Sequence, residues 1–239
     1  MRIDSAFAEL PRQAPVPESS RRRVVVIGGG VVGLSCALWL LKAGHSVTVV
    51  DRQALSVHAD PARTASLGTA CTIALGAALP LATPEIWATA PGMILNPRAP
   101  LSIYWRDLLR LIPWLIAFLK SSRPRDFDRI VSVLGGLLRL AEAGHAPLIE
   151  ESGAANLLRR AGCLYLYRTP KQFADAKKGI ALREREGVNM EILDAEAIRR
   201  VEPSLAPLYH KGVRFIDAYH LDTPSRYALA LAEAIRRRG

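Results

Sequence analysis

This chain has few cysteines and few aromatic residues, and both shortages exclude classes of function. Its 3 cysteines, Cys36, Cys71 and Cys163, stand far apart and form no Cys-x-x-Cys pair. The sequence therefore predicts neither a disulfide framework nor a zinc site, and it favours a reducing, cytoplasmic location. Aromatic residues make up 6% of the chain and are not interleaved with its basic clusters, as they are in proteins that bind single strands. We therefore expect no nucleic-acid partner.

Half of the residues in the chain are hydrophobic, and the chain has an excess of positive charge. Hydrophobic residues make up 50% of its 239 residues, which is enough to build one large or two modest globular domains. The formal net charge is +10, but the basic residues are scattered or lie in short clusters at 21–23 and 236–238. We interpret most of this charge as solvated surface, with weak attraction to an anionic lipid surface as the minor alternative.

Residues 23–52 contain the pattern around which the chain is organised. The β-branched run 24–27 is wholly apolar and predicts a parallel strand that is buried on both faces. It runs into a Gly-x-Gly-x-x-Gly motif. Gly28 allows the tight turn, Gly30 lets the backbone approach a pyrophosphate, and Gly33 lets the next helix pack on the strand. The motif predicts a dinucleotide-binding unit.

The helix after this turn should begin at Val31 and Val32 and point its N–H groups and positive dipole end at the pyrophosphate. A second apolar strand, 47–50, ends at Asp51, which lies 51 − 28 = 23 positions after the first glycine. An acid at this place can accept hydrogen bonds from the two ribose hydroxyls of an adenosine. Arg52 either lies beside the adenosine or is solvated.

A signal anchor is the competing interpretation of this stretch, because residues 24–41 are uncharged and follow three arginines. Three consecutive glycines would weaken such a helix. An anchor also has no need of a second strand that ends in Asp51. We therefore predict a globular unit here.

Beyond this unit the pattern alternates between loops, helices and strands. Small residues at 65–71, including Ser66, suit either a close approach to a ligand or a plain connecting loop. The most apolar helical segment, 108–119, is too short to span a bilayer, and a buried or partner-facing helix pair is favoured over docking on a membrane surface. The remaining predicted elements are a helix at 126–151, a strand at 162–168, a helix at 170–186, a strand at 190–193, a helix at 194–201 capped by Asp194, a strand at 212–216 and a helix at 223–238.

Candidates for catalysis are weak. The 5 histidines are isolated, with no acid or thiol at a spacing typical of a triad or a metal site. Tyr165, Tyr167 and Arg168 lie on a predicted strand and could face a ligand, although packing is the favoured interpretation. The sequence therefore names no catalytic residue.

Four features give the chain a resemblance to a known family. They are the stretch VVVIGGGVVGLSCALWLLKAGHSVTVVDR, the turn 65–71, the proline-punctuated segment 80–119, and the segments 193–203 and 217–224. Together they resemble the FAD-dependent amine and amino-acid oxidoreductases of the D-amino-acid oxidase type, and most closely the bacterial D-amino-acid dehydrogenases. The turn is similar to the Ala-Ser-Phe-Gly-Asn-Ala-Gly turn of relatives, with Leu67, Thr69 and Cys71 in place of Phe, Asn and the last Gly.

The resemblance implies FAD as the cofactor and the oxidation of a D-amino acid to a 2-oxo acid and ammonia. The electrons pass to a respiratory acceptor, so the implied partners are a small amino-acid substrate and that acceptor. Peripheral association with the inner face of the cell membrane is the open alternative to a purely cytoplasmic location. The cofactor-binding residues that we expect are Gly28, Gly30, Val31, Val32, Gly33, Asp51, Arg52 and Ser66.

The resemblance also implies an α/β fold, with a Rossmann-like FAD-binding βαβ unit and a partial α+β substrate domain, C-terminally truncated relative to the family. Two hypotheses follow: an FAD-dependent dehydrogenase or its N-terminal portion, and a catalytically inactive remnant or interaction subunit. A partner chain that supplies the missing half is a further implied partner. An NAD-linked dehydrogenase is the weaker third interpretation, because the long insertion and the later strand–helix pattern do not suit a simple nicotinamide domain. The expected organisation is a disordered tail at 1–22, the βαβ unit at 23–80, the helical insertion and partial substrate domain at 81–210, and a return to the FAD-binding domain at 211–239.

Overall fold

The computed structural model describes residues 14–52, 66, 69, 72–87 and 105–238. Predictions on the first 13 residues of the tail, on most of the turn 65–71 and on residues 88–104 lie outside these ranges. In chain order the strands are β1 (Arg23–Ile27), β2 (Ser46–Val50), β3 (Thr72–Ile73), β4 (Leu158–Arg159), β5 (Cys163–Tyr167), β6 (Met190–Asp194), β7 (Lys211–Phe215) and β8 (Tyr219–Leu221). The helices are α1 (Val31–Lys42), α2 (Leu108–Ser121), α3 (Pro124–Arg139), α4 (Ala141–Ser152), α5 (Pro170–Arg185), α6 (Ala195–Val201) and α7 (Pro224–Arg237).

Strands β1 and β2 form the predicted βαβ unit with α1 between them. The strands pair in parallel, and the register runs from Arg23 opposite Ser46 to Ile27 opposite Val50. Gly44 follows α1 with a φ of +91°, in the left-handed region that favours glycine, so the chain can turn back into β2. The prediction of this unit is confirmed.

The prediction that β1 is buried on both faces is wrong. Val25 is 63% exposed and Ile27 is 88% exposed, and Val50 on β2 is 49% exposed. Exposure alternates along both strands because α1 packs against only one face of the pair. Among the described residues nothing covers the other face. An apolar run indicates a strand suited to two-sided burial, but it does not show whether both neighbours are present.

Helices α1, α4 and α7 pack around the main core. Leu34 and Leu38 of α1 and Tyr227 and Leu231 of α7 are fully buried there, and Leu148 of α4 is 2% exposed. Each such side chain contributes about 1.5–3 kcal/mol by leaving water. This packing fixes α1 behind the glycine turn and therefore positions its N-terminus.

A second, antiparallel sheet has the order β5–β7–β6. Helix α5 begins with a capping box in which Thr169 and Gln172 each bond the other's backbone N–H. Ile180 of this helix joins Val213 and Phe215 of β7 in a small core of its own. The sheet is the α+β part of the predicted fold.

The return to the first unit differs from the expected boundary at residue 211. Strand β7 belongs to the antiparallel sheet, and β8 pairs with β3 and β4 in a third small sheet. Of the last segment, α7 packs extensively on α1, and Tyr219 and Leu221 of β8 join the same core. Strand pairing is a long-range property, so the local pattern at 212–216 predicts the strand without predicting its partners.

The helical region predicted at 126–151 is confirmed and consists of two helices, α3 and α4. They meet at Leu140, whose N–H donates to the Leu137 carbonyl at 3.1 Å and so tightens the last turn of α3. Helix α2 has no buried residue, so the buried form of the helix pair expected at 108–119 differs from the structure, whereas its partner-facing form stays a prediction. Within the described ranges, no helix has the length and apolarity needed to cross a membrane.

The described end of the predicted tail lies against the βαβ unit. The N–H of Val16 donates to the Ala43 carbonyl at 2.9 Å, and the N–H of Arg22 donates to Nδ1 of His45 at 3.1 Å. A short 3₁₀ helix, Glu18–Ser20, lies between these contacts. Residues 14–22 therefore differ from the disordered tail that we expected.

Candidate cofactor-binding site

The glycine turn joins the carboxyl end of β1 to the start of α1. Gly28 has a φ of +107°, which side-chain-bearing residues rarely adopt, and its N–H donates to the Val50 carbonyl at 2.8 Å. The first glycine is therefore needed for the backbone conformation, and its hydrogen bond fixes the turn to β2.

Gly33 is needed for a different reason, which is close packing. A Cβ at this position would lie 2.0 Å from the carbonyl oxygen of Gly28 and 3.4 Å from Cγ1 of Val26. No side chain fits there without a backbone shift. The last glycine of the motif therefore lets the first turn of α1 lie directly on the glycine turn, as the motif predicts.

The N-terminus of α1 carries the donors that an anion would use. The first helical bond runs from the N–H of Leu34 to the Gly30 carbonyl at 2.9 Å, so the N–H groups of Val31, Val32 and Gly33 precede the helical ladder. Ser66 Oγ accepts the N–H of Val31 at 2.9 Å. Val32 is 78% exposed, so this end of the helix is open to a ligand.

Asp51 lies at the same end of the sheet. Its Oδ2 accepts the backbone N–H of Gly29 at 2.6 Å, while Asp51 itself is exposed and Gly29 is buried. The short bond to a charged acceptor ties the acid to the glycine turn. A carboxylate can accept about four hydrogen bonds, so this contact is compatible with an added ribose hydroxyl.

The structure thus brings together most of the predicted site residues. The three motif glycines, Val31, Val32, Asp51 and Ser66 all lie around the carboxyl ends of β1 and β2. Arg52 follows Asp51 as an exposed residue, and its role stays a prediction. The sequence predicts no role for Gly29, because the motif spacing indicates the acid but not the backbone amide that binds it. It identifies Thr69 only as a departure from the turn of relatives; in the structure its Oγ1 donates to the Ser66 carbonyl at 2.8 Å and so helps to position the serine.

These residues fit the adenosine diphosphate half of a dinucleotide. Backbone N–H groups at a helix N-terminus, with no side chain on the three glycines of the turn, suit a diphosphate. The carboxylate of Asp51 is an acceptor and suits ribose hydroxyls, which are donors. This set of donors and acceptors is therefore compatible with a bound dinucleotide. Within the described ranges no group of three potential metal ligands occurs.

The tyrosines of β5 have separate surroundings. The Tyr167 ring contacts Phe173 of α5 with centroids 5.5 Å apart, and burial raises the pKa of its hydroxyl. Tyr165 is 48% exposed and meets Phe215 edge-on at 4.8 Å, beside a cleft between the β3–α2 connection and the antiparallel sheet. Tyr167 is thus half-buried against the small core, whereas Tyr165 is accessible from solvent.

Half-buried Arg183 supports the wall of this cleft. Its Nε donates to the Gly76 carbonyl at 3.1 Å, and its guanidinium lies 5.7 Å from the Phe215 ring centroid. Burial lowers the pKa of Arg183, yet a guanidinium stays protonated in proteins. Arg183 therefore acts as a fixed cation that holds a loop on the sheet.

His220 has a structural explanation. Its Nδ1 lies 3.0 Å from the Thr72 hydroxyl, and its Nε2 lies 2.9 Å from the Gly162 carbonyl. The ring therefore links β3, β8 and the turn before β5.

Comparison with known families points to flavin enzymes. A family model described as FAD dependent oxidoreductase matches residues 23–239. A D-amino-acid oxidase from Bradyrhizobium diazoefficiens is 34% identical to the chain over 214 residues, which cover 88% of this chain and 49% of that protein. The chain thus spans about half the length of this relative.

Solved structures with similar folds are also redox enzymes. A glycine oxidase from Geobacillus kaustophilus superposes with a TM-score of 0.54 at 17% identity, covering 92% of this chain and 46% of the other. An L-proline dehydrogenase from P. horikoshii gives 0.52 at 19%, covering 94% and 43%. An FAD-bound L-α-glycerophosphate oxidase from Mycoplasma pneumoniae gives 0.50 at 15%, covering 91% and 42%. At these identities the likeness concerns the fold alone, and it confirms the predicted fold class.

Proposed function

Since the chain belongs to the family of FAD-dependent oxidoreductases, we propose that it binds FAD at the glycine turn and serves the oxidation of D-amino acids to 2-oxo acids and ammonia. The electrons go to a respiratory acceptor, as in a dehydrogenase. One observation carries the cofactor part of this proposal. The bonds from Gly29 N–H to Asp51 and from Val31 N–H to Ser66 hold Asp51 and the start of α1 together at the carboxyl ends of β1 and β2, which supports the proposed ribose and diphosphate positions.

Each residue of the site has a distinct role in this proposal. The N–H groups at the start of α1, where the residue Val32 is 78% exposed, bind the diphosphate. Asp51 accepts hydrogen bonds from the ribose hydroxyls, and Arg52 lies next to the adenosine. Gly28, Gly30 and Gly33 keep the space beside the diphosphate free of side chains. When bound, FAD supplies the two-electron acceptor, and the protein supplies orientation.

The substrate class rests on the similarity to the Bradyrhizobium enzyme, whose name states D-amino-acid oxidase activity. The proposed acceptor rests on the resemblance of the chain to the dehydrogenase branch. Because the chain spans 49% of that relative, we propose that turnover also needs polypeptide that corresponds to the rest of the relative's length. That polypeptide would supply the group that binds the substrate carboxylate.

A second candidate function is that of a catalytically inactive interaction subunit. The observation that favours it is the uncovered face of the β1–β2 pair, where Val25 and Ile27 are 63% and 88% exposed. A second polypeptide that packed on this face would bury apolar surface worth about 25 cal/mol per Å². Such a subunit would keep the fold without turnover of its own.

A spectrum of the purified chain after incubation with FAD and removal of excess tests the proposal. We expect a retained flavin near one per chain, and dye reduction on addition of D-alanine or D-proline only when polypeptide that corresponds to the rest of the relative's length is also supplied. Flavin without dye reduction even then supports the cofactor site and favours the interaction subunit. The absence of flavin overturns the cofactor proposal.

A matched pair of variants ties the result to the site. Asp51→Ala removes the ribose acceptor, so we expect it to lose about tenfold or more in FAD affinity. Asp175→Ala is the control, since Asp175 is an exposed acid on α5 that pairs with Lys171. Equal FAD affinity in the two variants would contradict the placement of the ribose.

A further inference from the structure

Helix α1 begins without a side-chain cap of its own. Its N-cap residue is Gly30, which makes no side-chain bond to the first turn. Helices are commonly capped by a serine, threonine or aspartate oxygen that accepts an N–H of the first turn. Here Ser66, 35 positions after Val31, supplies this oxygen, since its Oγ accepts the Val31 N–H at 2.9 Å. The start of α1 is therefore capped by a distant part of the chain.

The Ser66 hydroxyl also lies in the space that the second glycine of the motif leaves free. A Cβ at Gly30 would lie 3.0 Å from Ser66 Oγ, a tight contact that the absence of a side chain avoids. This glycine is the one that lets the backbone approach a pyrophosphate. A phosphate oxygen at this place would therefore meet the serine oxygen, and both are acceptors for the same N–H.

Asp51 and Ser66 differ in what they leave for a cofactor. Asp51 uses one of about four acceptor positions for the Gly29 N–H, so it can still accept a ribose hydroxyl. Ser66 instead uses up a donor. A backbone amide has one hydrogen, so the Val31 N–H cannot bind Ser66 and a phosphate oxygen at full strength together. The hydroxyl must withdraw before the diphosphate can use this donor.

The turn around Ser66 holds the backbone of this residue but not its side chain. Ser66 is half-buried, and its carbonyl accepts the Thr69 hydroxyl at 2.8 Å and the Thr69 N–H at 3.4 Å. Both bonds act on the main chain, so the hydroxyl can leave the Val31 N–H by a change of rotamer. A ligand can therefore displace the hydroxyl while these backbone bonds stay in place.

We propose that Ser66 is a self-capping residue that competes with the cofactor for the start of α1. In the cofactor-free chain its hydroxyl occupies the place of a phosphate oxygen, and the diphosphate displaces it on binding. Loss of a cap of this kind changes an equilibrium about fivefold, so the capped state lowers the apparent affinity by about that factor. This role rests on the proposed function, since the diphosphate of FAD is the competitor, and it is opposite to that of a direct cofactor contact.

Calorimetric titration of the cofactor-free chain with ADP tests this proposal, because ADP carries the diphosphate and the ribose without the flavin. Ser66→Ala removes the cap and should bind ADP about fivefold more tightly. Ser66→Asp places a charged, stronger acceptor at the helix N-terminus and should bind ADP more than about tenfold more weakly. Ser132 is an exposed residue of α3, and the matched controls Ser132→Ala and Ser132→Asp should leave the ADP affinity unchanged.

Stability without ligand separates competition from a purely structural cap. In urea, the cofactor-free Ser66→Asp variant should be more stable than the unsubstituted chain and Ser66→Ala less stable, since the charged cap is the better one. The ADP affinities should follow the reverse order. A serine that only stabilises the helix would change stability and leave the ADP affinity unchanged, whereas a serine that contacts the cofactor would make Ser66→Ala the weaker binder. Either result would overturn the self-capping proposal.

Titration with FAD in parallel separates this proposal from the proposed function. If FAD binds while the two Ser66 variants have equal affinity for ADP, the cofactor site stands and the self-capping proposal is wrong. If ADP binds in the expected order while FAD does not bind, self-capping stands and the FAD proposal is wrong. ADP binding to neither the unsubstituted chain nor Ser66→Ala overturns self-capping, because no diphosphate then competes with the serine.

Discussion

Replacing Gly33 with alanine perturbs the closest contact of the glycine turn. The new Cβ would lie 2.0 Å from the Gly28 carbonyl oxygen. Because a comfortable C···O contact is about 3.3 Å, the backbone must move by roughly 1.3 Å. Overpacking of this kind costs about 1–3 kcal/mol, and a clash with backbone belongs at the upper end. Alanine in place of glycine within a helix returns about 1 kcal/mol. We therefore expect Gly33→Ala to lower the free energy of unfolding by about 2 kcal/mol.

Gly136→Ala is the control for this substitution. Gly136 lies within α3, and the nearest atom to its added Cβ is Nη2 of Arg139 at 3.7 Å, an ordinary contact. This variant should gain up to about 1 kcal/mol from helix propensity. Urea denaturation of both variants, followed by circular dichroism without added flavin, gives the comparison. If Gly33→Ala proves as stable as Gly136→Ala, the result would contradict the close packing of α1 on the glycine turn.

Three further predictions concern single side chains. Ser66→Ala removes the acceptor of an α1 N–H and should lower the unfolding free energy by about 1 kcal/mol in urea; an unchanged midpoint would contradict the bond. Burial raises the pKa of Tyr227 to about 12, so stability present below pH 10 is lost as the pH rises toward 12. The Tyr227 hydroxyl has no hydrogen-bond partner among the described residues, so Tyr227→Phe should raise the free energy of unfolding by about 1 kcal/mol near pH 7. In thermal melts the variant should also lose less stability than the unsubstituted chain at high pH; an equal loss of stability would refute this. Although burial opposes it, hydrogen bonds from two basic side chains lower the pKa of Glu151, so its stabilisation is present above pH 4.5 and is lost as the pH falls through the lowered pKa. Glu151→Gln should therefore be about 1 kcal/mol less stable at pH 7 and equal to the unsubstituted chain in acid; a difference that persists there would count against this.

Sequence analysis recovers the features that depend on local chemistry. The glycines, the acid at the end of β2 and the helix caps have short-range requirements, so their patterns predict them. The N-cap at Asp194 is an example: its Oδ1 accepts the Ala197 N–H at 2.8 Å, as expected from an acid before a helix. The βαβ unit follows from the same kind of signal.

Features that depend on distant partners could not be predicted. The small residues around Ser66 indicate a close approach to a ligand or a plain loop. They do not predict the bond from Val31 N–H to Ser66, because it joins residues 35 positions apart. Strands β3, β4 and β8 have two or three residues each and show no periodic pattern. The exposure of Ile27 on β1 and of Leu109 on α2 depends on which neighbours are present, and that is not a property of the strand or the helix itself.

The central claim is that the glycine turn and Asp51 bind the adenosine diphosphate half of FAD. Titration of the flavin-free chain into FAD, followed by the change in flavin fluorescence, tests it most directly when ADP is used as a competitor. The account predicts saturable binding of about one FAD per chain that ADP displaces. FAD binding that ADP does not displace, or no saturable change at all, would contradict it.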